Sequence, residues 1–194
     1  MRAASALRAR AALAAACAAT LALAAAPAQA ATALRLATGG TLAALGGVNE
    51  GGAAVAFAAL WPVEERLETG LAFHADDLGS VEGRLRDPND GADLGRAEVL
   101  HRAVWGVAWR LDARPWAGAA WEPWGGGTWG FQRVRDDVRG VTVGRVHSTG
   151  FTLAVGLRRA LRGGGSAAGV VRYHRLFNDR AGRYVSAGLE WGWR

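Results

Sequence analysis

The segment Arg183-Tyr184-Val185-Ser186-Ala187-Gly188-Leu189-Glu190-Trp191-Gly192-Trp193 decides the fold. Val185, Ala187, Leu189, Trp191 and Trp193 fall on one side of a two-residue repeat, and Tyr184, Ser186, Gly188, Glu190 and Gly192 on the other. Successive side chains of a β-strand point to opposite faces, so this is a strand with one apolar and one mostly polar face. The same split recurs at 67–75, where Leu67, Thr69, Leu71 and Phe73 oppose Glu68, Gly70, Ala72 and His74. It recurs again at 148–158, with Thr149, Phe151, Leu153, Val155 and Leu157 opposite Ser148, Gly150, Thr152, Ala154, Gly156 and Arg158. Sustained helical periodicity is hard to find after residue 30, and no uncharged run there reaches the roughly 18 apolar residues of a membrane helix.

Marking every such segment predicts eight strands, at 33–45, 53–62, 66–75, 98–111, 115–125, 146–159, 167–177 and 183–193. Their connections alternate. Those at 63–65, 112–114 and 160–166 are short, whereas 76–97 and 126–145, on the opposite end, are long loops by this reading. An even number of antiparallel strands with short turns on one end and long loops on the other is the pattern of a transmembrane barrel. The predicted fold is therefore all-β, an eight-stranded up-and-down antiparallel transmembrane β-barrel.

Composition bounds this reading. The chain has 194 residues, enough for one domain, with 51% hydrophobic side chains, 28 glycines, 9 tryptophans and only 5 prolines. Its 23 basic residues are all arginine, against 17 acids. Residues 1–30 carry Arg2, Arg8 and Arg10, an uncharged apolar run at 11–26, and then Pro27-Ala28-Gln29-Ala30, which reads as a secretory signal peptide with an A-x-A cleavage site. Removing it leaves 20 arginines against 17 acids, so the net charge falls from +6 to +3, which is no signal for nucleic acid. The one cysteine, Cys17, leaves with it, so residues 31–194 form a barrel domain without a disulfide.

Strand parity assigns the side chains. Arg35, Glu68, His74, Arg102, Arg110, Glu122, Arg158, Arg172, His174 and Glu190 share the face that carries the glycines. In a membrane barrel this face lines the lumen and the apolar face meets lipid; in a soluble barrel the senses reverse. Glycine beside long arginines suits a lumen just wide enough for side chains to fill. An unpaired buried charge costs several kcal/mol, so Glu68, Glu122 and Glu190 are expected to pair with these arginines and plug the lumen. Trp61, Trp109, Trp116, Trp191 and Trp193 gather at the short-turn end, as an aromatic girdle at the headgroup level requires. The segment 76–97 carries −3 and 126–145 carries +2, the latter from Arg133, Arg135, Arg139 and Arg145 against Asp136 and Asp137. These opposite charges would either pair over the barrel mouth or leave the arginines to face lipid phosphates.

The stretch Val170-Val171-Arg172-Tyr173-His174-Arg175-Leu176-Phe177-Asn178-Asp179, with the final strand, resembles the closing hairpin of small outer-membrane β-barrel proteins of the OmpA/OmpX type. The resemblance implies recognition by the barrel-assembly machinery. That family usually ends on an aromatic residue, whereas here Trp193 is penultimate and Arg194 last.

Motifs for chemistry are few. Lipid A 3-O-deacylases, which share this strand count, carry His-x-Ser-Asn in the seventh strand and Glu in the eighth. This chain offers His174, Asn178 and Glu190, but Leu176 stands where the nucleophile belongs. Without a hydroxyl the histidine has nothing to activate, so no enzyme is expected. The segment Asp87-Pro88-Asn89-Asp90-Gly91-Ala92-Asp93 misplaces the glycine of a calcium loop and reads as a turn. His74, His101, His147 and His174 show no ligand spacing, so no metal or other cofactor is expected, with His74 and His174 taken as polar fillers bonded to carboxylates. Gly125-Gly126-Gly127 and Gly163-Gly164-Gly165 read as loop and turn glycine.

The sequence therefore predicts an exported, monomeric, non-enzymatic barrel that contacts outer-membrane lipid and lipopolysaccharide and serves surface contact or envelope integrity. The competing reading is a soluble periplasmic lipocalin-like carrier of a small apolar ligand, which would need the charged face outside.

Overall fold

The computed structural model describes residues 32–42, 51–86, 93–138, 141–178 and 182–193, with backbone only at 81–86 and 93–100. The predicted signal segment, Arg139 and the 87–92 turn lie outside the described residues. The strands are β1 (Ala33–Leu42), β2 (Ala53–Glu64), β3 (Leu67–Arg86), β4 (Asp93–Ala113), β5 (Trp121–Val138), β6 (Val141–Ala160), β7 (Ser166–Leu176) and β8 (Arg183–Trp193). Each pairs antiparallel with its sequence neighbour, and β1 pairs with β8 from Leu34↔Trp193 to Leu42↔Val185. The sheet is a closed barrel in the order β1 to β8.

The described residues of the two predicted long loops are strand. β3 continues to Arg86 and β4 starts at Asp93, while β5 reaches Val138 and β6 starts at Val141. Apolar alternation marks a strand only where one face meets an apolar medium. The backbone ladder itself needs no apolar side chain, and charged residues extend it here. Arg135 and Asp137, two apart on β5, pair with each other at 2.8 Å. The pairing shows how far the hairpins project. β2 pairs with β3 only up to Asp76, and β7 with β6 only from Gly150 onward, so 77–86 and 141–149 run beyond the rim formed by β1, β2, β7 and β8. A membrane-crossing strand needs about 9–11 residues. At 18 to 21 residues, β3 to β6 are far longer than that.

Two further boundaries move. Residues 115–120 form the β4–β5 turn, so Trp116 sits in a connection and does not begin β5. Gly125, Gly126 and Gly127 are not loop glycine: they lie in β5 opposite Ala113, Asp112 and Leu111. A Cβ on Gly126 would run into the Asp112 carboxylate and the Leu111 carbonyl, so the glycines let β4 and its charges come close. Gly163 and Gly164 do form a turn, at φ 90° and 83°.

The seam between β1 and β8 is equally tight, because a Cβ on Gly188 would meet the Thr38 carbonyl and the Gly39 Cα. Gly188→Val is expected to destabilise the barrel by about 1–3 kcal/mol through overpacking. A lower thermal midpoint of the fast-migrating folded band on unheated detergent gels checks this, with Ala187→Val, one residue along on the opposite face, as the control.

Candidate functional site

The site begins with strand parity. Even-numbered residues of β4 to β8 and odd-numbered residues of β1 point inward, which puts Arg35, Arg102, Arg110, Arg158, His174 and Glu190 in the lumen at 8% exposure or less. Arg110 is the hub. It grips Asp112 with two parallel bonds of 2.8 Å, and its Nη1 and Nη2 donate across the barrel to Glu190 at 3.1 and 3.3 Å. Glu190 also accepts from Arg172 Nη2 at 2.8 Å. Beside this group, Arg35 donates to Glu68 at 3.0 Å and to Ser166 at 2.9 Å. Bidentate, charge-assisted bonds of this kind are the strong ones, and in a lumen they offset the cost of removing the charges from water.

Several pairings differ from those predicted. Glu122 pairs not with a lumen arginine of the predicted set but with Arg114 at 3.8 Å, and it accepts the Gly118 amide at 2.7 Å, because it stands at the lumen mouth beside the β4–β5 turn. Arg114, which the sequence reading left in a turn, also reaches Glu68 at 3.4 Å. Arg102 takes Asp136, not a glutamate, in a bidentate grip of 2.7 and 3.1 Å. Asp136 is therefore a lumen residue and not part of a loop, and Asp76, from the other segment, also points inward. Arg158 is held more loosely, 3.8 Å from both Glu68 and Glu190, with its guanidinium over the Trp124 ring at 5.4 Å. Arg110 lies over the same ring at 5.1 Å. Trp124 is thus an inward aromatic that sequence reasoning passed over, although its even number gives it away.

Above this layer His74 meets Asp76, whose carboxylate also accepts the Tyr184 hydroxyl at 2.6 Å. His174 is bonded not to a carboxylate but to the hydroxyls of Thr152 at 3.0 Å and Ser186 at 2.9 Å, because β6 and β8 flank it with those residues. Leu176 is buried in an apolar cluster with Leu78, Val104, Val134 and Tyr184, which occupies the lumen toward the projecting hairpins. The position a deacylase nucleophile would hold is thus part of a core.

The outward face is apolar. Leu71, Val107, Leu111, Leu153, Val155, Leu157 and Leu189 are all exposed. At the short-turn end Trp61 and Trp109 meet edge to face at 5.4 Å, and Trp116 and Trp193 are exposed, with Trp191 between Leu36 and Ala167. Trp121, with Arg159 over its ring at 5.2 Å, joins them there. The aromatics continue from there, because Trp129 lies directly across from Trp109 and leads to Phe151, Tyr173 and Phe177, with neighbouring centroids 5.6 to 6.4 Å apart. Arginines stand on the same outward face toward the projecting end. Arg133 lies over Trp105 at 5.6 Å, Arg145 is directly across from Arg135, and Arg175 is directly across from Arg183. The sequence singled out the first three; Arg175 and Arg183 share the face by strand parity.

No protein-family profile matches the chain, and no curated protein matches it. Solved structures do. Neisserial surface protein A aligns with a TM-score of 0.58 at 10% identity over 83% of this chain and 94% of its own. The outer membrane protein OprG from Pseudomonas aeruginosa aligns at 0.55 with 11% identity, over 85% and 97%. The N-terminal β-barrel domain of Pseudomonas aeruginosa OprF aligns at 0.54 with 12% identity, over 83% and 95%. The chain has the fold of these small eight-stranded outer-membrane barrels.

Glu190 neutralises two arginines at once, and its removal leaves both buried without it. Glu190→Ala is expected to cost about 3–5 kcal/mol. A fall in the urea midpoint of the detergent-folded barrel, larger than that of Glu64→Ala on the exposed end of β2, checks this.

Proposed function

We propose that this chain is an exported, non-enzymatic outer-membrane β-barrel whose lumen is closed by ion pairs and whose working surface is the end that carries the projecting hairpins. The single observation that carries this is the reversal of the faces: arginines and carboxylates inside, leucine, valine and tryptophan outside. A soluble carrier needs the opposite arrangement, with an apolar interior for its ligand. Lipid satisfies the outer face, and closure of the sheet satisfies every strand edge in a medium that offers no hydrogen bonds. The outward aromatics, from Trp61 and Trp193 near the short turns to Phe177 toward the hairpins, suit contact with lipid and its headgroups. Outer-membrane localisation by fractionation, with heat-modifiable migration in detergent, tests the proposal; recovery as a water-soluble protein would refute it.

The filled lumen supports a scaffold over a pore. Purified barrel in a planar bilayer is expected to give no stable, large single-channel conductance, and a steady open level of that kind would contradict the plugged lumen.

The cross-strand arginine pair Arg175↔Arg183, with Arg145 facing the carboxylate-paired Arg135, favours a phosphate-bearing partner. Like charges directly opposite each other are destabilising unless an anion lies between them. On an outward face beside an aromatic group, the fitting anion is the phosphate of lipopolysaccharide in the outer leaflet. Each arginine near such a surface contributes about 1 kcal/mol, so Arg145→Gln with Arg183→Gln should weaken binding by roughly 30-fold in low salt. Titration of the folded barrel with lipopolysaccharide checks this, with Arg66→Gln at the β2–β3 turn as the control.

A further inference from the structure

The middle of the lumen holds a cluster that the ion-pair network leaves aside. His74 and Asp76 stand two apart on β3, so both point inward, and His174 reaches them from β7. All three are buried, and their potential ligand atoms lie within 4.8 Å of one another. His74 Nδ1 is 2.6 Å from Asp76 Oδ2, and its Nε2 meets Gln132 Oε1. Both ring nitrogens thus face oxygens that accept, whereas a neutral imidazole has one N–H to give. A proton on each nitrogen meets both acceptors, and a metal ion can take the place of the one shared with Asp76. His174 has a hydroxyl at each nitrogen, so one nitrogen can ligate while the other keeps its orienting bond. A cavity of about 10 Å³, lined by His74, Asp76, His174, Arg172 and Ser186 among others, adjoins the three side chains.

We propose that His74, Asp76 and His174 form a buried site for one divalent transition-metal ion of the zinc class. Two imidazoles and a carboxylate suit zinc, copper(II) or nickel, whereas calcium and magnesium prefer oxygen alone. The ligands of a tetrahedral zinc ion stand roughly 3.4 Å apart, so a small rotation of the side chains closes them on the metal. Gln132 on His74 and Thr152 or Ser186 on His174 are the outer partners that fix the tautomers. Tyr184 stacks on His174 at 4.2 Å and donates to Asp76, so it orients two of the three ligands. With the apolar cluster on one side and the ion-pair layer on the other, the ion enters as the barrel closes.

The test uses the full chain without a polyhistidine tag, folded into detergent with zinc chloride, desalted, and analysed for metal by mass spectrometry. The folded barrel should retain about one zinc per chain, and it should still do so after His101→Gln with His147→Gln, which alters only histidines outside the cluster. Loss of the zinc in His174→Gln supports the site. Zinc below about 0.1 per folded chain, or zinc retained in folded His174→Gln, overturns it. The intact barrel folded with copper(II) supplies a readout that needs no variant. Its paramagnetic resonance spectrum should carry nitrogen hyperfine structure from two imidazoles, and a spectrum without it overturns the proposal.

Discussion

The constraint on which the structure depends is the width of an eight-stranded barrel. Such a lumen holds side chains and little else, so the inward arginines must find their carboxylates within the space that closure leaves. Arg110, Asp112, Glu190 and Arg172 meet this demand from β4, β7 and β8, and Arg35 with Glu68 meets it from β1 and β3. Arg110 with Glu190 joins β4 to β8 and Arg35 with Glu68 joins β1 to β3, while Arg110–Asp112 lies within β4 and Arg172–Glu190 links the neighbours β7 and β8. The hydrogen-bond ladder makes the sheet, but the charges couple its opposite walls.

Small residues make that coupling possible. Gly126 admits the Asp112 carboxylate, and Gly192 lies where a Cβ would meet the Arg35 guanidinium. Alanine at 33, 37, 58, 108 and 168 fills the remaining inner positions. The lumen is therefore layered. Ion pairs fill the part near the short turns, a histidine, aspartate and tyrosine layer lies above them, an apolar cluster of Leu78, Val104, Val134, Leu176 and Tyr184 follows, and the Arg102–Asp136 pair lies beyond Val104 and Val134. Each layer meets the burial of polar groups differently: the first by charge pairing, the second by hydrogen bonds, the third by having almost no polar atoms to satisfy.

Length differences among the strands give the molecule its two ends. β1, β2, β7 and β8, at 10 to 12 residues, are close to what a bilayer requires, whereas β3 to β6 continue as paired hairpins. The outward arginines lie toward this extended side. A rigid ladder there holds charged side chains at fixed spacing, which a loop of the same composition would not do.

The sequence by itself determined the number of strands, the inner and outer faces of each, and the inward position of residues such as Arg35, Glu68, Arg110, His174 and Glu190. A period of two depends only on local backbone geometry and needs no knowledge of partners. Where glycines and charges interrupt the alternation, as beyond Ala75 and Gly125, that signal fades, and strands passed for loops. Closure decided the rest. Register placed Asp136 against Arg102, Arg114 against Glu122 and Glu68, and Trp124 beside two guanidinium groups, and it brought His74 and His174 together from strands about a hundred residues apart. Which charge meets which across a lumen is set by stagger and tilt around the whole barrel, and no single strand carries that information.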